Sequence, residues 1–536
     1  MSLLLSLFLF SACNNPVRPP ATDIAATPEE LGKKITEHLQ QSLEFAAGND
    51  GRIDDTVSLA LTILVQQAYD NTQFSPVWTA GQDWGPLADS LLHFISNGRL
   101  YGLYPDDYHL PALLAAQEKI RRDSLGRRDR KDAVLWAHTE LMLTDAFFHL
   151  VKDLKLGRLP QDSVTLRKDS VLPDEFYQEQ LARTLQGRAL VPVLAALEPA
   201  HQGYRRLKAA IPAFLDSADN RTFTRVPAPS QRSPDFKTLL QKRLFESGFI
   251  TFDSTAADSA QLAEAVKKFQ RSQGITIDGK AGDATVRMLN VTDRDRFARI
   301  AITLDRYKLL PEQLPSRYVW VNLPGFYMNF WENDTLQLVS KIICGKPATR
   351  TPLLNSAISE LVTYPQWTVP QSIIAKEILP AVKKDPGYLA RKGFSLVNAK
   401  GEEVDPFTVD WSKYSKGIPY RVVQGSGDAN ALGVLKFNFP NKYAVYLHDT
   451  NQRSLFALTT RTLSHGCVRV QDWQKLAYSI VRYDNRDRVE EGPSPSEDSL
   501  TSWLSRKEKH SIPVRNRLPV YIRYFTCEGK NGRVTF

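Results

Sequence analysis

The apolar positions of this chain change their period along its length. Between residues 30 and about 225 they recur at helical spacing, most plainly over 133–151 and 190–211. That predicts a mainly helical region. From 317 onward, runs rich in β-branched and aromatic residues, separated by turn signals, predict strands over 317–323, 325–331 and 335–343. Further strands are expected over 434–439, 442–447 and 520–525, with Pro440-Asn441 as a turn. Residues 371–425 mix helical stretches with loops and read as an insertion capping the β-rich region. Between the two regions, 236–292 carries three short helical patterns, stopped by Gly248, Gly274 and the Asp278-Gly279 turn. Residues 216–235 read as a linker, and 490–499 as a polar loop.

A chain of 536 residues exceeds one domain by the usual size range, and 42% hydrophobic content allows sizeable cores. The net charge of +9 suits anionic surroundings. The basic runs are dispersed, as on solvated helix faces, and no nucleic-acid motif accompanies them. The first twelve residues are almost wholly apolar and end at Cys13. The run is too short to span a bilayer and suits an export signal. Phe10-Ser11-Ala12-Cys13 resembles a lipobox, in which Cys13 is acylated. Residues 1–13 then form a lipoprotein-type signal and 14–29 a tether. The remaining cysteines are Cys344, Cys467 and Cys527, an odd number that leaves at least one thiol unpaired. Cys344 and Cys527 lie in or beside apolar runs and read as buried hydrophobes.

The chemistry concentrates in residues 446–470. His448 lies nineteen positions before Cys467, and His465 two before it. On an extended segment Tyr446 and His448 share a face. Gly466, without a Cβ, lets the backbone turn sharply beside the thiol. An imidazole beside a thiol can take its proton and later return one to a leaving amine. The Gly466 and Cys467 amides and the Tyr446 hydroxyl are candidate oxyanion donors, and Arg469 a candidate carboxylate ligand. Three other readings stay open on residues alone: a chance His-Gly-Cys, a zinc site from His448, His465 and Cys467, and a structural cysteine. The histidines at 38, 93, 109, 138, 149 and 201 show no metal-ligand spacing and read as structural.

His448, fifteen intervening residues, then Ser464-His465-Gly466-Cys467-Val468-Arg469 resembles the signature of the L,D-transpeptidase catalytic (YkuD-type) domain. The segments Tyr364-Pro365-Gln366-Trp367, Asn430-Ala431-Leu432-Gly433 and Lys436-Phe437-Asn438-Phe439-Pro440-Asn441 resemble its large YcbB-like subgroup. Trp78, residues 102–109 and residues 143–147 resemble that subgroup's helical scaffold. Leu240, Gln241, Leu244, Ala265, Val266, Phe269, Gln270 and Gly282 match a three-helix peptidoglycan-binding module. The resemblance implies a multidomain α+β fold: scaffold 30–225, binding module 236–292, and a β-rich catalytic domain 317–530 with an inserted lid, 371–425. It implies Cys467 as acylated nucleophile and His448 as general base, with the Asp449 backbone carbonyl orienting the imidazole. Ser464, His465, Gly466 and Arg469 match positions that shape the substrate and oxyanion region. The implied partners are peptidoglycan stem peptides, a donor tetrapeptide and an acceptor, without metal or organic cofactor. The implied role is wall biogenesis and cell shape, in the periplasm, with a carbapenem-sensitive thiol. Hydrolysis as an L,D-carboxypeptidase, transfer of a lipoprotein to the wall, and non-catalytic wall binding are the competing functions.

Overall fold

The computed structural model describes residues 18–79, 84–125, 130–160, 171–231, 233–251, 258–486 and 495–536. The lipidation candidate Cys13 lies outside them. The chain forms two compact units, one holding residues up to Leu159, Asp169–Glu312 and Cys527–Phe536, the other Gln313–Thr526.

The first unit is helical. The longest of its described helices, Ala133–Leu156, is buried on nearly every side and carries carboxylates that hold the surrounding loops. Glu140 accepts from the amides of Val77 (2.9 Å) and Thr79 (2.7 Å). Asp145 accepts from Leu61 N (2.8 Å) and pairs with His109 (2.7 Å), and Asp153 accepts from the Tyr108 hydroxyl (2.8 Å). Buried carboxylates need such donors, since each unpaired one would cost several kcal/mol. Four other early histidines are also engaged within the fold: His38 with Asp23, His138 with Asp54, His149 with Asp153 and His201 as a helix N-cap.

Three expectations change here. The tether is shorter than 14–29, because Ile24–Ala25 pairs with Lys131–Asp132 and Thr27 caps the helix Pro28–Ala47. The helix expected over 190–211 is two, Leu190–Ala195 and Gln202–Ser217. Pro199 disfavours helical geometry at Glu198 and separates them. The linker 216–235 is largely part of the binding module. Val226 is buried in the core formed by Leu240, Leu244, Val266, Phe269 and Leu289, and Asn290 grips its backbone at both ends (2.9 and 2.8 Å). The module's helices are Phe236–Glu246, Ser259–Ser272 and Asp283–Leu289. Gln270 ties the turn between the last two by accepting from the Asp278 and Gly279 amides.

The second unit is built on a nine-stranded sheet, whose strands we number in chain order. They are β1 (Arg317–Asn322), β2 (Tyr327–Glu332), β3 (Thr335–Gly345), β4 (Leu354–Thr363), β5 (Leu435–Asn438), β6 (Leu447–His448), β7 (Thr462–Ser464), β8 (Val468–Val470) and β9 (Ser511–Arg523). The order is β7-β3-β8-β6-β5-β4-β9-β1-β2, and β3 also pairs with β2, closing the sheet on itself. Val321, Met328, Ile342, Leu361, Phe437, Leu447 and Val468 fill its core, with the helix Trp473–Asp484 packed against it.

Here too the pattern misled in places. The strand expected over 442–447 shrinks to β6. Asn441 captures the amides of Tyr443 and Val445 with its side chain, and Ala444 adopts φ +54°, so the segment loops instead of pairing. The insertion has its own core (Ile374, Leu379, Val382, Leu396, Val422) and a four-stranded sheet as well as helices. Ser496 caps a helix, Glu497–Ser505, which begins within the segment expected to be a loop. Residues 527–530, expected in the catalytic domain, belong to the first unit as the hairpin Glu528–Lys530 with Arg533–Thr535.

Asn290→Ala removes two hydrogen bonds to Val226, at about 1 kcal/mol each. Limited proteolysis should cleave 219–231 several-fold faster than in wild type. Unchanged protection would mean that the segment is held by other contacts.

Candidate active site

The site is set by strand register. β6 is two residues long and lies between β5, antiparallel, and β8, parallel. His448 stands opposite Lys436 on one side and Arg469 on the other. Val468 N donates to Tyr446 O (3.1 Å), so the parallel pairing places Tyr446 beside Cys467. Side chains two apart on a strand share a face. Cys467 and His448 are therefore diagonal neighbours on one face, with α-carbons roughly 7–8 Å apart. The Tyr446 ring meets His448 edge-on, with centroids 5.5 Å apart.

The loop carrying the thiol is held from both ends. Gly466 adopts φ +127°, a conformation that a side chain would strain. Ser464 Oγ donates to Cys467 O (2.6 Å) and accepts from Gly466 N (3.1 Å). Thr351 Oγ1 donates to Gly466 O (2.7 Å) and accepts from Gly345 N (2.9 Å). This corrects one expectation. The Gly466 amide is already occupied by Ser464, so it is not a free oxyanion donor. The Cys467 amide has no matched acceptor among the described residues.

The Asp449 side chain anchors the chain just beyond β6. Fully buried, it accepts from Val434 N (3.1 Å) and from Arg453 Nη2 (2.6 Å) and Nε (3.1 Å). Gly433, at φ +64°, leaves no room for a Cβ against that carboxylate. His448 Nδ1 makes no direct hydrogen bond, although the Asp449 and Leu432 carbonyls favour the protonated ring. Burial outweighs them, with Arg469 and Lys436 adding repulsion, and holds the His448 pKa down at about 3. His448 is thus a neutral base across the physiological range. Burial also raises the Cys467 thiol, while the Tyr446 amide and hydroxyl, Lys436 and Arg469 favour its thiolate. The Sγ contacts Ala444 O at 3.8 Å.

His465 turns away from this pair. It is exposed, and its Nε2 meets Glu377 Oε1 of the insertion at 2.5 Å. No group of three or more His, Cys, Asp or Glu among the described residues is placed to hold a metal ion. Arg469 donates from Nη1 to Gln452 Oε1 (3.2 Å) and has a buried Nε without a partner. The other two thiols, Cys344 and Cys527, are free and buried, and desolvation pushes each up to about 11. Burial there outweighs the Thr303 hydroxyl beside Cys527 (3.4 Å) and the charge of Arg461 near Cys344.

Three residues were given no site role from sequence: Lys436, Thr351 and Glu377. Lys436 lies in a segment that resembles the subgroup, with nothing in the local pattern to set it apart from a solvated lysine. The partners of Thr351 and Glu377 lie 115 and 88 residues away.

A neutral imidazole diagonal to a half-buried thiol, with an amide and a hydroxyl donor alongside, is an arrangement capable of nucleophilic acyl transfer. Residues 316–489 match the family model described as "L,D-transpeptidase catalytic domain", residues 64–211 "Scaffold domain" and residues 236–289 "Putative peptidoglycan binding domain". A protein of Haemophilus influenzae named "Putative L,D-transpeptidase" is 34% identical over 236 residues, 44% of this chain and 46% of that protein. The chain thus spans about half the length of that relative. Among solved structures, a mutant of the Enterococcus faecium L,D-transpeptidase is 13% identical over 39% of this chain and 50% of its own, with a TM-score of 0.15. An L,D-transpeptidase from Stackebrandtia nassauensis is 14% identical over 54% of this chain and 91% of its own, with a TM-score of 0.16. With a helical region ahead of a β-rich unit that bears the His448–Cys467 pair, the chain carries a scaffold domain, a peptidoglycan-binding domain and a YkuD-type L,D-transpeptidase catalytic domain.

Proposed function

We propose that this protein is a peptidoglycan L,D-transpeptidase that forms 3→3 cross-links between stem peptides. We place it in the periplasm, held to the membrane by a lipid on Cys13. The observation that carries the enzymatic reading is the same-face diagonal of Cys467 and His448 across the parallel β6–β8 pair.

In the proposed reaction Cys467 gives its proton to the neutral His448 imidazole as Sγ attacks the carbonyl of the third stem residue. The C–S bond forms and the carbonyl electron pair moves to oxygen. The Cys467 amide and Tyr446 hydroxyl are the donors for that oxyanion. Burial and the nearby thiolate raise the Tyr446 hydroxyl well above its ordinary pKa, which keeps it a donor. Collapse breaks the C–N bond to D-Ala, whose amine takes the proton from His448. The side-chain amine of a third-position residue on a neighbouring stem attacks the thioester, restoring the thiol and closing the cross-link. Water in place of that amine would make the enzyme an L,D-carboxypeptidase.

Muropeptide analysis after expression of wild type and Cys467→Ala tests this. New 3→3 dimers that vanish in the variant are expected. Loss of D-Ala without dimers would assign a carboxypeptidase, and a protein-linked muropeptide a transferase to the wall. No change, with retained sacculus binding, would leave only a wall-binding protein. A carbapenem should add covalently to Cys467 by intact mass, and His448→Ala should slow that addition at least 100-fold. A near-normal rate would sink the base assignment.

The pH dependence follows from the sign of the His448 shift. A base with a pKa near 3 is already deprotonated above about pH 4, so the acylation rate should show no acid limb between pH 5 and 8. A limb centred near pH 6.5 would mean that the resting imidazole titrates normally. The Glu377–His465 contact ties the insertion to the thiol loop. Glu377→Ala should raise amide exchange over 463–467 several-fold, and unchanged exchange would show that the contact does not restrain the loop.

A further inference from the structure

Lys436 is half-buried and has no role in the steps above. It stands directly opposite His448 in the β5–β6 pairing, on the face that carries Tyr446 and the thiol. Its Nζ lies 4.1 Å from the centre of the Tyr446 ring. No carboxylate among the described residues lies within ion-pair distance of it.

The charged and titratable groups around the thiol are few. Lys436 faces it from β5, Tyr446 and His448 from the β6 segment, and Arg469 from β8. His465 is turned to Glu377. From β4, Glu360 faces Lys436 at longer range, but its carboxylate is taken by Asn438 Nδ2 (2.5 Å) and the Ser511 hydroxyl. A partly buried ammonium without a counter-ion is costly. The negative charge this site can offer it is the one that forms on Cys467.

We infer that Lys436 is a positioning residue for acyl transfer, the fixed cation that stabilises the Cys467 thiolate from the β5 side as Arg469 does from β8. The inference rests on the acyl-transfer reading of Cys467. Two cations flank one imidazole and one thiol, so the site favours a single negative charge on sulfur and disfavours a resting imidazolium. The S–H proton therefore passes through His448 to the leaving amine and is not stored on the ring. The directions of the shifts agree: Lys436 lowers the thiol and the imidazole, and Cys467 raises the ammonium against its burial.

The test is the pH dependence of iodoacetamide alkylation at Cys467 in the full chain, read by peptide mass so that Cys344 and Cys527 do not contribute. Lys436→Met should raise the apparent thiol pKa by about one unit and slow alkylation at pH 8 about tenfold. Lys436→Arg should stay within about threefold of wild type, which a role in packing alone would not give. With a carbapenem, Lys436→Met should lower the acylation rate constant and leave the pre-covalent dissociation constant within about twofold. A Lys436→Met thiol that titrates as in wild type overturns the inference, as does a failure of Lys436→Arg to restore the rate in a folded protein. Wild-type chain that alkylates but never acylates overturns the transpeptidase reading instead, and leaves the thiolate measurement standing.

Discussion

The catalytic unit depends on the clamping of a two-residue strand. β6 bonds antiparallel to β5 and parallel to β8, and this register sets where His448 stands. Parallel neighbours cannot be joined by a tight turn. The chain must leave β6 at His448, cross over and return to Cys467, which is why the two lie nineteen positions apart in sequence yet share a face. The exit from β6 is fixed by the buried Asp449 carboxylate, which holds the Val434 amide and the Arg453 guanidinium. The return is fixed by Ser464 and Thr351. The site is thus over-determined by backbone contacts, with its reactive atoms free of structural duty.

Electrostatically the site is poised rather than relaxed. A fully buried imidazole with an unpartnered Nδ1, a half-buried ammonium and a guanidinium with a buried unpartnered Nε occupy one row of the sheet. Each would be more stable in water or paired. The apolar core beneath them offsets that cost, with Leu447, Val468, Phe437 and Ile342 packed on the opposite face. Catalytic sites commonly hold groups away from their most stable environment.

Much of this was legible in the sequence, because catalytic spacing and core periodicity are local signals. The order of helical and β-rich regions and the burial of Cys344 and Cys527 follow from residues close in the chain, whereas the grouping of His448 with Cys467 was implied only by the motif's resemblance. What escaped was non-local. Asn441 diverts a segment with good strand composition by capturing its amides. Val226 looked like linker because its core lies in helices that follow it. The Gly466 amide looked available until Ser464, two residues away, proved to occupy it. Lys436 looked like any solvated lysine on an amphipathic strand, since only the register across β5 and β6 sets it against His448.

The helix that carries Glu377 contains a wide turn, Ile374–Ile378, immediately before Pro380. Proline clashes with the carbonyl four residues back, and a wide turn relieves that clash. It also sets angular phase. Each residue advances an α-helix by about 100°, so the extra residue in the turn decides which way Glu377 points relative to Ile374, Leu379 and Val382 in the insertion's core. Deleting one residue there would keep the composition and the apolar stripe, yet rotate the carboxylate away from His465. The grip of the insertion on the thiol loop is therefore encoded in residue count as much as in residue identity.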